Sequence, residues 1–342
     1  MQATPMREFE RSLIECPDGQ NFLPVAAVYG PNAGGKSNLL EALDYVRSAV
    51  ARPIRLLSSN SDAPEGNRPS IPRCSAFEFD EVSAAEPTEF ELYYRAGEHE
   101  YRYALSVHAD AIVSDGLWRR KLGASRTALL FEREGAEVEL GPTLRKLVTA
   151  ARFNPRLPYL SFLCINFDAP VVKEAASWFL DGVFLNYNSS YLEQMLEQLL
   201  DEDDSPEVSR FLRAVDVRID GFRVERAPEW RGQRVFVRHE VGGKAYELRL
   251  SEESAGTQKL MGLAAYLMTA LERGGTVVVD ELDAKLHPKL LRYVILLFKD
   301  PKVNKSGAQL IFSSQDVSTM RNDVFRRDEI WFAARGEGEA SQ

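Results

Sequence analysis

Gly30-Pro31-Asn32-Ala33-Gly34-Gly35-Lys36-Ser37 has the spacing G-x-x-x-x-G-K-S, which is the chemistry of a phosphate cradle. The glycines let successive backbone N–H groups turn toward one anion. The Lys36 ammonium neutralises charge at the β and γ positions, and the Ser37 hydroxyl is a hard oxygen ligand for Mg²⁺. Asn32, Gly34, Gly35 and Asn38 complete the set of loop and helix-entry residues expected to line the site. Such a loop works only between a strand and a helix. The apolar run Val25-Ala26-Ala27-Val28 precedes it, and Leu39, Leu40, Leu43 and Val46 follow at helical spacing, so a positive helix N-terminus faces the phosphates.

A second pattern supplies carboxylates. Gly275-Thr276-Val277-Val278-Val279-Asp280-Glu281 reads as a buried strand ending in two acids, expected to lie beside the phosphate-loop strand. Asp280 is placed to hold Mg²⁺ through water or through Ser37, and Glu281 to orient and polarise an attacking water. Alone, this would be an ordinary strand with an acidic end, and the phosphate loop is what gives it meaning. Ala308 to Asp316 is another apolar strand with a polar end, from which Gln315 can reach a γ-phosphate. Between these motifs, Ser254-Ala255-Gly256-Thr257-Gln258 opens an apolar helix through Leu260, Leu263, Leu267 and Leu271. A hydroxyl and a glycine N–H there suit either a plain N-cap or a second phosphate-binding surface, and the two readings stand level.

The chain that must position these groups has 342 residues, 44% hydrophobic and 27% charged, enough for one large or two modest domains with a real core. Its 42 Lys+Arg against 51 Asp+Glu give a net charge of −9. That balance argues against a general nucleic-acid coat and confines any nucleic-acid contact to a local groove. Cys16, Cys74 and Cys164 are widely spaced, which indicates neither a disulfide framework nor a zinc site and fits a reduced, cytoplasmic setting. The polar N-terminus and the short apolar tract around Leu260 to Leu271 predict neither a leader nor a membrane span.

Along the chain, at most a short helix or strand is expected before Val25. Helix is expected over Asn38 to Val46, and an exposed loop over Arg52 to Pro72. Short aromatic and β-branched runs at Ala76–Asp80, Thr88–Arg95, Glu100–Val107, Ile112–Leu122, Ala128–Arg133 and Glu137–Leu140 predict an antiparallel β region. From Pro142 to about Val215 the pattern reads as helical, with Asp201 to Asp204 a solvated turn rather than a metal site. Strands return at Ile219–Arg226, Arg234–Glu240 and Lys244–Leu250, the last two joined as a hairpin across Gly242-Gly243. The expected division is residues 1–141, with the loop and the β region; 142–216, an inserted helical part; and 217–335, with the later motifs. A tail at 336–342 is expected to be disordered. The fold class is α/β, a phosphate-loop NTPase with an antiparallel β subdomain and a helical insertion.

Phosphate loop, S-A-G-T-Q, V-V-V-D-E-L and I-F-S-S-Q-D, in that order, resemble the ABC-type ATPase heads of the SMC, RecF and OLD-like group. With Y-G-P-N-A-G-G-K-S-N-L-L-E-A-L, D-E-L-D-A-K-L-H-P and R-R-D-E-I-W-F, most of the chain from Leu23 to Phe332 is similar to the RloA-like bacterial "AAA family ATPase" proteins. The resemblance implies ATP and Mg²⁺ as cofactors and a homodimer or higher even oligomer, paired head to tail around two ATPs. It also implies a separate effector such as a nuclease, in phage defence. It assigns Lys36 and Ser37 to the β/γ-phosphates and Mg²⁺, Asp280 to Mg²⁺, and Glu281 to the lytic water. Ser254 and Gly256 would touch the opposite subunit's γ-phosphate, and Ala284 to His287 would form a subunit-contacting loop.

The chain departs from that pattern twice. Gln315 stands where the family has a γ-phosphate-sensing histidine; it can donate a hydrogen bond but cannot carry charge, which predicts slow hydrolysis. The opening strands that carry an adenine contact are not recognisable, so the base contacts stay unassigned. The competing reading is a RecF-like DNA-repair clamp, and the acidic balance counts against it.

Overall fold

The computed structural model describes residues 1–58, 71–77, 80–148, 152–186, 206–214, 219–226, 233–283, 286–336 and 341. Two compact units emerge. One comprises Met1–Cys16, Gln20–Ser37 and Val183–Ala334, and the other Pro17–Gly19, Asn38–Gly182 and Arg335–Gln342.

In chain order the strands are β1 (Ile14–Glu15), β2 (Asn21–Phe22), β3 (Val25–Tyr29), β4 (Thr88–Ala96), β5 (His99–His108), β6 (Ala111–Lys121), β7 (Thr127–Glu134) and β8 (Glu137–Leu140). Then come β9 (Val183–Asn186), β10 (Gly221–Arg226), β11 (Gln233–Val241), β12 (Lys244–Arg249), β13 (Thr276–Asp280), β14 (Gln309–Ser314) and β15 (Ile330–Phe332).

The first unit is built on a parallel sheet in the order β15-β3-β14-β13-β9. All five residues of β3 are buried, the pattern of a strand covered on both faces, which is why the run has no polar alternation. The helices Ala255–Arg273 and Pro288–Lys299 pack beside it, with Leu263, Leu267, Leu291, Ile295 and Phe298 joining Val277, Val279 and Phe312 in one core. An antiparallel sheet, β10-β11-β12, adds Phe222, Val235 and Val237 to that core. Its hairpin turns at Gly242 and Gly243, whose φ of 59° and 73° are the left-handed pair that a two-residue turn requires.

This order corrects one expectation. The acidic strand β13 is not beside β3; β14 lies between them, paired to both. A second correction concerns Val183–Asn186, which pairs in parallel with β13 inside the segment read as helical. A four-residue apolar run cannot declare its period, and here pairing decides it.

The second unit carries the antiparallel meander β4-β5-β6-β7-β8. Along β5, Tyr101, Tyr103, Leu105 and Val107 alternate inward and pack with Val46, Val50, Ile54, Leu160 and Phe179 from three helices. The first of these helices runs Lys36–Ser58, beyond the expected end and through Pro53, because Ala49, Val50 and Ile54 prolong the buried stripe. Of the run Ala76–Asp80, expected as strand, the described residues Ala76, Phe77 and Asp80 are not in one, and Asp80 instead caps the short helix Glu81–Ala85 by accepting the Ser83 N–H.

Buried in this unit, Arg133 donates to the carbonyls of Gly135 and Leu157 and pairs with Asp115 at 3.3 Å, while Asp115 also accepts the Tyr159 N–H. Burial pushes the Asp115 carboxyl up to about 6 despite the facing guanidinium. The three cysteines are free thiols. Residues 187–205, with the expected helix around Tyr191 to Leu200 and the acidic turn, lie outside the described residues. So do Ala284, Lys285 and most of the tail.

Candidate nucleotide site

The carboxyl edge of the parallel sheet gathers the predicted groups. β3 delivers the chain into the phosphate loop, and Lys36 begins the helix that follows. The loop is tight at both ends. A Cβ on Gly30 would stand 2.2 Å from the Ala333 carbonyl oxygen, so no other residue fits there, and Gly35 takes a left-handed φ of 95°. Inside the loop the Gly34 N–H bonds to the Pro31 carbonyl at 3.1 Å. Lys36 is buried, and its Nζ donates to the carbonyls of Gly30 (2.9 Å) and Pro31 (3.0 Å), which holds the ammonium over the loop. Asn32 and Asn38 are exposed, and Ser37 is half-buried at the helix start.

The acidic corner is held by a residue the motif reading passed over. Ser313, fully buried on β14, donates its hydroxyl proton to Asp280 Oδ1 and accepts the Glu281 N–H at 2.8 Å, while its carbonyl accepts the Leu282 N–H at 3.2 Å. These bonds grip Glu281 on both sides and keep it at φ 51°, a left-handed conformation that a glutamate rarely adopts. Among the described residues, four non-glycines have positive φ, and two of them, Ala33 and Glu281, belong to this site. Strain concentrated in that way is usual where function over-determines the backbone.

Asp283 is a further missed residue. Its Oδ2 accepts the N–H groups of Gln315 (2.9 Å) and Asp316 (2.8 Å), tying the turn after β14 to the turn after β13. Gln315 itself is exposed at the end of β14. Both missed residues stand inside motifs quoted for their neighbours, and only the insertion of β14 next to β13 shows what they bond to.

Ser254 and Gly256 are arranged differently. The Ser254 hydroxyl accepts the Thr257 N–H at 3.1 Å and so caps its own helix, and both Ser254 and Gly256 are exposed. The plain N-cap is therefore present, on an open helix N-terminus. His287, in the segment read as subunit-contacting, likewise caps the helix Pro288–Lys299 through the Lys289 N–H.

The donors suit a hard cation. Asp280 and Ser37 offer a carboxylate and a hydroxyl, the oxygen set for a Mg²⁺ that arrives with a triphosphate and keeps several waters. Among the described residues no group of three or more His, Cys, Asp or Glu side chains forms a self-sufficient metal cage.

Residues 25–321 match the family described as "AAA domain, putative AbiEii toxin, Type IV TA system". The chain belongs to this AAA-domain family. No curated protein matches it in sequence. Among solved structures the AAA domain is similar to an SMC head bound to the C-winged helix domain of ScpA, at 13% identity and a TM-score of 0.44 over 94% of this chain and 91% of that one. The SMC head domain from Thermotoga maritima aligns at 13% identity and 0.42, over 92% and 87%. An SMC head derived from Pyrococcus furiosus, also bound to a ScpA domain, aligns at 12% and 0.42, over 94% and 91%. The family match, not these alignments, identifies the chain. It is a mixed α/β phosphate-loop domain of ATPase type, and no helix among the described residues is long and apolar enough to cross a membrane.

Proposed function

We propose that this AAA domain binds Mg·ATP at Gly30–Ser37 and hydrolyses it in a head-to-tail pair of chains, and that the cycle controls a separate effector in bacterial antiphage defence. The observation that carries the hydrolytic part is the acidic corner, where Ser313 fixes Asp280 and Glu281 together. That Glu281 is held in a left-handed turn one residue beyond Asp280 supports the reading of Asp280 as the metal-binding acid and Glu281 as the water-orienting group. In this reading Lys36 and the loop N–H groups balance the phosphate charge, and Ser37 and Asp280 hold Mg²⁺. Glu281 orients water, and Gln315 donates to the γ-phosphate without supplying charge, so turnover is slow.

Pairing is supported by the open helix N-terminus at Ser254 and Gly256. It is a positive dipole end whose Ser254 and Gly256 are exposed, suited to the γ-phosphate on a second copy. The family description names a putative toxin of a Type IV TA system, which supports a partner protein; that the partner is a nuclease is carried only by the resemblance of the sequence motifs. Free cysteines support a reduced, cytoplasmic setting.

The test is Glu281→Gln. ATP affinity should stay within a few-fold of wild type by calorimetry, while kcat falls by roughly 10² or more. A dimer should accumulate with ATP in light scattering and disperse with ADP. Wild-type turnover in this variant would reject Glu281 as the water-orienting group, and a monomer at saturating ATP would reject the paired site.

A further inference from the structure

β15 is the edge strand on the far side of β3 from the acidic corner, and it runs parallel to β3, so both end at the same edge of the sheet. Its register sets Phe332 opposite Tyr29, the residue that leads into Gly30, and Trp331 opposite Val28. The Phe332 ring lies 6.4 Å from the Tyr29 ring, and the next residue is bonded to the strand end that enters the loop: the Ala333 N–H donates to the Tyr29 carbonyl at 2.8 Å. The Ala333 carbonyl also fills the space where Gly30 and Gly34 lack side chains. Phe332 is nonetheless 68% exposed. A large ring so open, anchored by its backbone to a phosphate loop, is a flat apolar face with nothing of its own to cover.

Direction along the sheet indicates what covers it. Asp280, Glu281 and Gln315 stand at the ends of β13 and β14, on one side of β3. The γ end of a triphosphate in the loop must point toward those groups, which sends the ribose and base the other way, toward β15. The geometry points to Phe332 as the residue that stacks on the purine base of the bound nucleotide. Successive strand residues face opposite sides, so Trp331 does not share this role. This inference rests on the nucleotide site proposed above and assigns the base contact that the motifs leave open.

An exposed aromatic that stacks on a base contributes affinity without reading the base edge, so the gain applies to any purine nucleotide and not to bare triphosphate. The experiment titrates Mg²⁺ with a non-hydrolysable ATP analogue, its GTP counterpart and inorganic tripolyphosphate into wild type, Phe332→Ala, Phe332→Leu, Phe332→Trp and Trp331→Ala. Phe332→Ala and Phe332→Leu should weaken both nucleotides roughly tenfold or more and leave tripolyphosphate within about twofold. Phe332→Trp should bind as wild type, and Trp331→Ala should change nothing beyond about twofold. The leucine variant keeps apolar bulk at the strand end, so a fault in folding separates from loss of the ring. Equal loss for nucleotide and tripolyphosphate would make Phe332 a prop of the loop and overturn the assignment, as would unchanged nucleotide affinity or a loss confined to Trp331→Ala. Failure of the site itself would show separately, as wild-type chain binding neither tripolyphosphate nor nucleotide.

Discussion

Ser313 and Ser254 both accept a backbone N–H through their hydroxyls, yet they belong to opposite kinds of structure. Ser313 is fully buried and joins segments 33 residues apart, donating to Asp280 while it accepts from Glu281. Ser254 is exposed and bonds three residues away, completing a cap that any helix could use. The buried hydroxyl sets one geometry regardless of what else binds, because its partners would be left unpaired in any other arrangement. The exposed one leaves its helix end presentable to something outside the chain. Half of the proposed site is thus complete within one chain, and the other half is offered outward.

The strongest way to break that contrast uses both ends of it. Lys36→Ala removes the only side-chain cation of the loop and should weaken ATP binding by roughly a hundredfold or more, since the charge-assisted bonds to the triphosphate are lost. Ser254→Arg should keep its own ATP binding and lose turnover. Mixed, the two chains restore one intact site per heterodimer, so ATPase activity should reappear. Confirmed heterodimers with no activity above either parent would place Ser254 and Gly256 in cis or require both sites together, and full activity of Ser254→Arg alone would reject its role.

A smaller effect should follow from Ser313→Ala, which frees the Asp280 carboxylate and leaves the Glu281 N–H without its hydroxyl. Losing a bond to a charged group predicts a kcat roughly ten- to hundredfold lower with KM for ATP little changed, and Ser313→Thr should recover most of it. A general loss of folding would lower the melting temperature in proportion and would not be rescued selectively. If KM rose while kcat held, Ser313 would serve binding instead.

The smallest expected effect sharpens the comparison with the second unit, where Asp115 and Arg133 form a buried polar corner that has no place in the proposed chemistry. Burial raises the Asp115 carboxyl to about 6, above its ordinary value of 3.8, so the protonated form is the one folding favours. Its contribution to stability is full below pH 4 and lost as pH rises through about 6. Thermal melts of wild type and Asp115→Asn should therefore differ by an amount that shifts against wild type across that window, with ATP binding unaffected at every pH. A constant difference from pH 4 to 7 would mean that the guanidinium holds the carboxylate ionised throughout.

Much of the site is legible along the chain because its chemistry is local. The phosphate loop needs its glycines, Lys36 and Ser37 within eight positions, an apolar run leads directly into it as β3, and helical spacing follows it directly. The acid pair at the end of β13 is readable for the same reason. Less local features are not: the helix runs on past Pro53 because Ile54 finds a core, and Val183–Asn186 is strand because β13 offers it an edge. Neither fact is encoded in the nearest ten residues.

By itself, then, the amino-acid sequence determined the phosphate-loop motif, the strand–loop–helix frame that carries it and the antiparallel meander, since each depends on short-range spacing. Only the tertiary structure decided that β14 separates β3 from β13, and with it that Ser313 and Asp283 bind the acidic corner to the turn bearing Gln315. It likewise decided that Phe332 stands opposite Tyr29, where β3 leads into the loop. The reason is physical: parallel strands meet through crossovers of many residues, so their order is chosen by how apolar faces pack, and no periodicity within a strand records its neighbours.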